Sequence, residues 1–211
     1  MPPENSTVSS PFPVPEARSE AEFSALRKNL RNARIAAREA LPDAARAALT
    51  ARLETHLDAL VARLAPRCVA FCWPWRGEAN LVPWVGRWLA GGAARRAALP
   101  AVREPGQPME VLHWWPGEAM DNDHHGIPIP LSGEPVDPDL ILVPLNVFDA
   151  AGFRLGYGGG YFDRTLAALD PAPTTVGIAF ELARADTTWP QPHDHPMDWL
   201  VTEAGCWRTR S

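Results

Sequence analysis

The sequence predicts an α/β fold: one domain whose mostly parallel sheet is flanked by helices, a Rossmann-like three-layer sandwich. Two observations carry this. First, helical stretches alternate with short runs that are apolar throughout, and such runs suit strands covered on both faces, as in parallel sheets. The clearest is Asp139-Leu140-Ile141-Leu142-Val143. Second, a glycine-rich segment follows that strand and leads into a helix, and open α/β sheets bind ligands beyond the carboxyl ends of their strands. The chain of 211 residues matches one domain at ~100–200 residues.

Residues 1–19 carry Pro2, Pro3, Pro11, Pro13 and Pro15 among serines, too little apolar surface to repay ordering, and are predicted to be a flexible tail. Residues 20–211 form the domain. Ala21 to Leu41 lacks Gly and Pro and is rich in Ala, Leu and Arg, so it is predicted as a helix. Pro42 opens a second helix to about Leu64, with Leu49, Leu53, Leu57, Leu60 and Leu64 at helical spacing. Arg67 to Cys72 is a buried strand, followed by a loop from Trp73 to Asn80. Leu81 to Ala90 is helical, with Gly91-Gly92 as its stop. Ala97 to Val102 is a strand whose Pro100 favours an end or an edge. Met109 to Trp115 is a third strand, and residues 116–138 read as a long loop. After the strand at Asp139 comes another loop, then a helix from about Tyr161 to Leu169 and strands at Thr174–Phe180 and Trp199–Thr202.

Composition removes several function classes. Lys28 is the single lysine and Asn29 follows it, which excludes the Gly-Lys-Ser/Thr of a P-loop ATPase. The formal charge of −5 argues against a basic surface for nucleic acid. No apolar run approaches the ~18 residues of a membrane span. The start, Met1-Pro2-Pro3-Glu4-Asn5, is neither basic nor apolar and does not read as a secretory signal. Cys68, Cys72 and Cys206 form no Cys-x-x-Cys pair, so reduced thiols and a cytoplasmic location are expected.

The most informative stretch runs from Phe148 to Arg164. Gly156, Gly158, Gly159 and Gly160 remove the Cβ atoms that would block close approach to the backbone. Their N–H groups then precede a helix N-terminus, an arrangement that suits phosphate. Arg154 and Arg164 flank the loop and can contact phosphate oxygens. Asp163, in the first helical turn, could hold a metal ion riding on that phosphate. In the first helix, Arg27, Arg31, Arg34 and Arg38 share one face at i, i+4, i+7, i+11. Such a stripe is either solvated or lines a cleft that takes an anion. Asp194, after a strand, could also help hold Mg²⁺. The histidines of Asp121-Asn122-Asp123-His124-His125 and His193-Asp194-His195 read as loop chemistry or as a metal site. Glu78, beside Trp73 and Trp75, suits a flat heterocycle that donates N–H groups.

Asp139-Leu-Ile-Leu-Val-Pro-Leu-Asn-Val-Phe-Asp149, followed by Gly152-Phe-Arg-Leu-Gly-Tyr-Gly-Gly-Gly-Tyr-Phe-Asp163-Arg164, resembles the signature of the 5-formyltetrahydrofolate cyclo-ligase family. Val176-Gly-Ile-Ala-Phe-Glu181 and His193-Asp194-His-Pro-Met-Asp198-Trp-Leu-Val-Thr-Glu203 resemble its closing pattern, and the likeness spans about residues 24–203. It implies an ATP- and Mg²⁺-dependent closure of 5-formyltetrahydrofolate to the 5,10-methenyl form. The formyl oxygen would attack the γ-phosphate, the 10-nitrogen would attack the activated carbon, and ADP and phosphate would leave. By position, Arg154, Gly156, Gly158, Gly159, Gly160 and Tyr161 would wrap the ATP phosphates, with Arg27 and Arg31 contacting ATP from the first helix. Asp163 and Asp194 would hold Mg²⁺. Trp73 and Glu78 would contact the pterin, with Tyr157 to Tyr161 bordering the folate. Arg154, Tyr161 and Asp163 would be the catalytic set. The resemblance implies a monomer with a small-molecule folate substrate and no nucleic-acid or membrane partner. Two positions depart from the pattern: Arg27 replaces the usual lysine, and His125-Gly126-Ile127-Pro128-Ile129-Pro130 replaces an aromatic residue and a Glu-Pro. The alternatives are a divergent paralogue, a non-catalytic phosphate- or nucleotide-binding module, and a metal-dependent hydrolase built on His124, His125, His193 and His195.

Overall fold

A computed structural model describes residues 19–209. The predicted tail lies outside them except for Ser19, which belongs to the first helix as its N-cap. Ser19 Oγ accepts from the Glu22 N–H, and the Glu22 carboxylate accepts from Ser19 in return. This capping box starts α1 (Glu20–Glu39). Pro42 precedes α2 (Asp43–Leu64), which ends at left-handed Ala65 with Pro66 behind it. Leu53, Leu57, Leu60 and Val61 turn its buried face inward, each burial contributing roughly 1.5–3 kcal/mol. β1 (Cys68–Ala70) follows, then α3 (Val82–Ala90), β2 (Arg96–Ala101) and β3 (Glu110–Trp114).

The predicted loop 116–138 contains a small antiparallel hairpin, β4 (Met120–Asn122) with β5 (Pro128–Pro130). Its prolines and acidic residues hide it from any β-propensity reading. β6 (Leu140–Pro144) starts one residue later than expected, because Asp139 is used as a side chain: its carboxylate accepts from the Arg67 and Cys68 N–H groups at 2.9 Å each. The segment after β6 also forms a short hairpin, β7 (Val147–Phe148) with β8 (Arg154–Leu155). α4 (Tyr161–Ala168), β9 (Thr174–Ile178), a 3-10 turn (Glu181–Ala183), β10 (Trp199–Thr202) and β11 (Gly205–Arg208) complete the order.

The main sheet runs β11-β10-β9-β6-β1-β2-β3. β10, β9, β6, β1 and β2 are parallel, while β3 and β11 pair antiparallel at the two edges. The fold is the expected mostly parallel α/β type. Pro100 lies beyond Ala98, the last β2 residue paired with β1, so it is accommodated where the β1 ladder has ended. Val69, Phe71, Leu99, Leu142 and Val176 pack on one face with residues of α2 and α3. Ala70, Ile141 and Val143 pack on the other face with Phe148 and with Phe162 and Leu166 of α4. Two helical layers therefore sandwich the sheet. Among the described residues no helix is long and apolar enough to cross a membrane.

Candidate active site

Chain reversal between β1–β2 on one side and β6–β9 on the other leaves a crevice at the carboxyl ends of β1 and β6. The loop after β1 supplies Glu78, which is 9% exposed. Its Oε2 accepts from the Trp75 N–H at 3.0 Å, and its Oε1 accepts from the Tyr157 hydroxyl at 2.7 Å. The glycine loop thereby reaches across to the loop after β1. Arg38 of α1 closes the group: its Nη2 donates to the Tyr157 hydroxyl at 2.9 Å and lies 3.7 Å from Glu78 Oε1. Burial pushes the Glu78 carboxyl up, outweighing the opposing pull of Arg38 and of the Tyr157 and Trp75 donors. Burial and the Glu78 charge push the Tyr157 phenol up as well. Trp73 packs against the core, edge-on to Trp114 at 6.4 Å, whereas Trp75 is 40% exposed.

The glycine loop is shaped by two left-handed glycines. Gly158 has φ +97°, and a Cβ there would lie 3.2 Å from Arg31 Nη1. The absent side chain lets the Arg31 guanidinium lie against the loop. Gly160, φ 65°, is the N-cap of α4 and offers no side-chain cap, so the first N–H groups of α4 are left for an anion. Tyr161 folds its ring back over Gly159, while Arg164 donates to the Gly159 carbonyl at 2.7 Å and covers the Tyr161 ring. Arg31 has no hydrogen-bond partner at its buried Nε. Burial and the like charge of Arg27 hold it below the usual guanidinium range. Gly156 has nothing within 4 Å of the position a Cβ would take.

The remaining predicted residues form two ion pairs joined by one segment. Arg154, buried beneath the loop, donates to Asp163 Oδ1 at 2.8 Å and to the His195 carbonyl at 2.6 Å. The His195 N–H in turn donates to Asp163 Oδ1 at 3.4 Å. One residue earlier, Asp194 accepts from Arg27 at 2.9 and 3.4 Å and from the Gln191 N–H at 2.8 Å. Burial opposes its ionisation, but the bonds from Arg27 and Gln191 prevail and hold its carboxyl below the usual range. Among the described residues, Asp163 Oδ2 receives no bond. No three His, Cys, Asp or Glu side chains among them converge as metal ligands would, and the cysteines are unpaired. His124 and His125 meet edge-on at 5.2 Å, and His125 meets Tyr161 edge-on at 5.4 Å, placing the tip of the β4–β5 hairpin beside the glycine loop.

Three residues of the crevice receive no individual role from the sequence. Arg38 is 5% exposed although helical periodicity alone also allows a solvated arginine. Asp149 accepts four bonds, from Ala151, Phe153 and Thr188 N–H groups and the Thr188 hydroxyl. It ties the turn before Arg154 to the segment carrying Trp189, whose carbonyl accepts from Arg27 at 3.0 Å. Asn146 is 1% exposed. The Phe-Asp-x-x-Gly run was the available signal for Asp149; nothing about the residue type or spacing of Asn146 marked it out within the same segment.

Residues 19–203 match the 5-formyltetrahydrofolate cyclo-ligase family. The chain belongs to that family. The 5-formyltetrahydrofolate cyclo-ligase of Mycolicibacterium smegmatis is 30% identical over 196 residues, covering 90% of this chain and 86% of that protein. The match to the Mycoplasma genitalium cyclo-ligase is more local: 34% identity over 67 residues, 32% of this chain and 40% of that protein. The solution structure of the Aquifex aeolicus 5,10-methenyltetrahydrofolate synthetase superposes with a TM-score of 0.76 at 29% identity, over 88% of this chain and 94% of that one. The Mycoplasma pneumoniae synthetase shares the fold, with a TM-score of 0.70 at 21% identity over 84% and 98% of the two chains. This cyclo-ligase family member therefore has the α/β architecture of methenyltetrahydrofolate synthetases.

Proposed function

We propose that the protein closes 5-formyltetrahydrofolate to 5,10-methenyltetrahydrofolate, using ATP and Mg²⁺ and releasing ADP and phosphate. The observation that carries the nucleotide part is the unpaired Arg31 guanidinium against Gly158, beside the uncapped start of α4. A half-buried guanidinium without a counter-charge calls for an anion, and a triphosphate supplies one. In this reading Arg27, Arg31 and the loop Gly156–Tyr161 bind the phosphates. Arg154 holds Asp163 in place from below while contributing positive charge to the loop. Glu78 accepts N–H groups of the pterin, Tyr157 and Tyr161 border the folate, and Trp75, the exposed tryptophan of its loop, shares with Trp73 the wall around the pterin.

Asp163 and Asp194 offer the hard oxygen donors Mg²⁺ takes, and such an ion needs only one or two carboxylates besides phosphate oxygens and water. Asp163 fits with its free Oδ2, whereas Asp194 would have to share oxygens that now accept from Arg27. The ion, when bound, neutralises phosphate charge. The protein's own part is to orient the two reactants and exclude water, as positioning and charge neutralisation dominate phosphoryl transfer. No nucleophilic Ser, Cys or Lys is required, and burial pushes the Cys72 thiol well above its ordinary value.

The test is a spectrophotometric assay of the purified protein with 5-formyltetrahydrofolate and MgATP, following the near-UV absorbance of the methenyl product together with ADP. Product that needs both ATP and Mg²⁺ is expected, and Asp163→Asn should lower turnover at limiting Mg²⁺ at least about ten-fold while leaving folding intact. ATP binding without product would mean a different substrate or a non-catalytic nucleotide-binding protein.

A further inference from the structure

Asn146 lies two residues beyond β6, in the crevice between β6 and β1. Its backbone N–H is satisfied by the Leu155 carbonyl at 3.1 Å. Its side chain is buried, and neither Oδ1 nor Nδ2 has a hydrogen-bond partner among the described residues. An unmatched polar group in a protein interior is strongly disfavoured, and a leucine would have the same branched shape without that cost. Asn146 lines a cavity of about 30 Å³ together with Arg34, Arg38, Glu78, Leu81 and Phe180. Arg34 Nε is likewise buried and unpartnered. One wall therefore presents an acceptor and a donor in a single plane with a further guanidinium donor nearby, and the rest of the lining is largely apolar. A ring edge fits that space, whereas a whole ring does not.

We propose that Asn146 is a substrate-contacting residue whose amide pairs with an adjacent donor–acceptor edge of a flat nitrogen heterocycle seated in the crevice. The proposal rests on the cyclo-ligase reading for the identity of the heterocycle. Two reactants carry such an edge, the pterin ring through its lactam and the purine ring through its amino group and neighbouring ring nitrogen. An asparagine amide can present donor and acceptor in either order, so it complements both.

The experiment uses the full chain and Asn146→Leu. Each is titrated calorimetrically with 5-formyltetrahydrofolate alone and with a non-hydrolysable ATP analogue plus Mg²⁺. In parallel, the side-chain amide resonances of Asn146 are followed in ¹⁵N-labelled wild-type protein at saturation with each compound. Asn146→Leu is expected to keep its thermal midpoint and to lose about ten-fold in affinity for one reactant while retaining the other. The same reactant should shift the Asn146 amide resonances. Loss confined to the folate assigns the pterin edge, and loss confined to the analogue assigns the purine edge. Affinities unchanged within about two-fold, with still resonances, would overturn the proposal and leave an ordered water as the occupant, since a water fits the cavity. Should the variant fail to fold, the wild-type resonances decide alone. Wild-type protein that binds neither compound would instead overturn the cyclo-ligase reading, and this contact with it.

Discussion

At Glu78 two opposing effects act on one carboxyl. Burial raises its pKa, Arg38 and the Tyr157 hydroxyl lower it, and burial prevails. If the ionised carboxylate accepts N–H groups from the pterin, folate affinity is full above this raised pKa and is lost as the pH falls through it. The loss should therefore begin above the ordinary 4.5 of a glutamate. Binding titrations across acidic pH should show this decline in wild type and a flat, weaker affinity in Glu78→Gln; the same midpoint in both proteins would remove Glu78 from recognition. At this scale the sequence reveals residue types better than pairings. Glu78, Arg154 and Asp163 stood out as candidates because acid beside tryptophan, and arginine and aspartate among glycines, are chemically unusual combinations, while Arg31 stood out only as one of an arginine stripe at helical spacing. Arg38 was not, because its partners Leu145 and Tyr157 lie 107 and 119 residues away, and nothing local distinguishes an arginine that will be buried.

The glycine loop and α4 act as one element, and Gly158 is the point where it meets Arg31 of α1. Alanine there would meet a φ of +97° and press on Arg31, with a strain of roughly 1–2 kcal/mol. Gly158→Ala should therefore lower ATP affinity about ten-fold or more by displacing the guanidinium. Gly156→Ala, which meets nothing within 4 Å, should leave the thermal midpoint unchanged. Equal ATP affinity in wild type and Gly158→Ala would show that Arg31 does not need to touch the loop. Helices and central strands were legible in sequence because their periodicity runs over many residues. The β4–β5 and β7–β8 hairpins were not, since strands of two or three residues carry no period. β7–β8 is held by the carboxylate of Asp149, which accepts the Ala151 and Phe153 N–H groups of its turn.

Across the whole molecule, the parallel centre of the sheet was legible from its continuous apolar runs, and the antiparallel edge β11 was not, because none of its four residues is buried and the last two, Trp207 and Arg208, are both exposed. The site depends on joining distant segments, most plainly through Arg27 and Asp194. The folded pKa of Asp194 lies below its ordinary 3.8, so its ionised form contributes stability that is present above 3.8 and lost as the pH falls through the lowered value. Asp194→Asn should thus be less stable than wild type by roughly 1–3 kcal/mol near neutrality. The gap should narrow in strong acid. Urea unfolding at a series of pH values measures it, and a constant gap would mean that the carboxylate charge contributes nothing. The same join has a consequence for biosynthesis. Trp189 and Asp194 stand 162 and 167 residues after Arg27, so the first helix leaves the ribosome with its basic face bare. At ~5–20 residues per second, that face waits about 10–30 s for its partners. Until then every growing chain carries an unclosed crevice, and Arg27 of α1 gains its place only once Trp189 and Asp194 have been added.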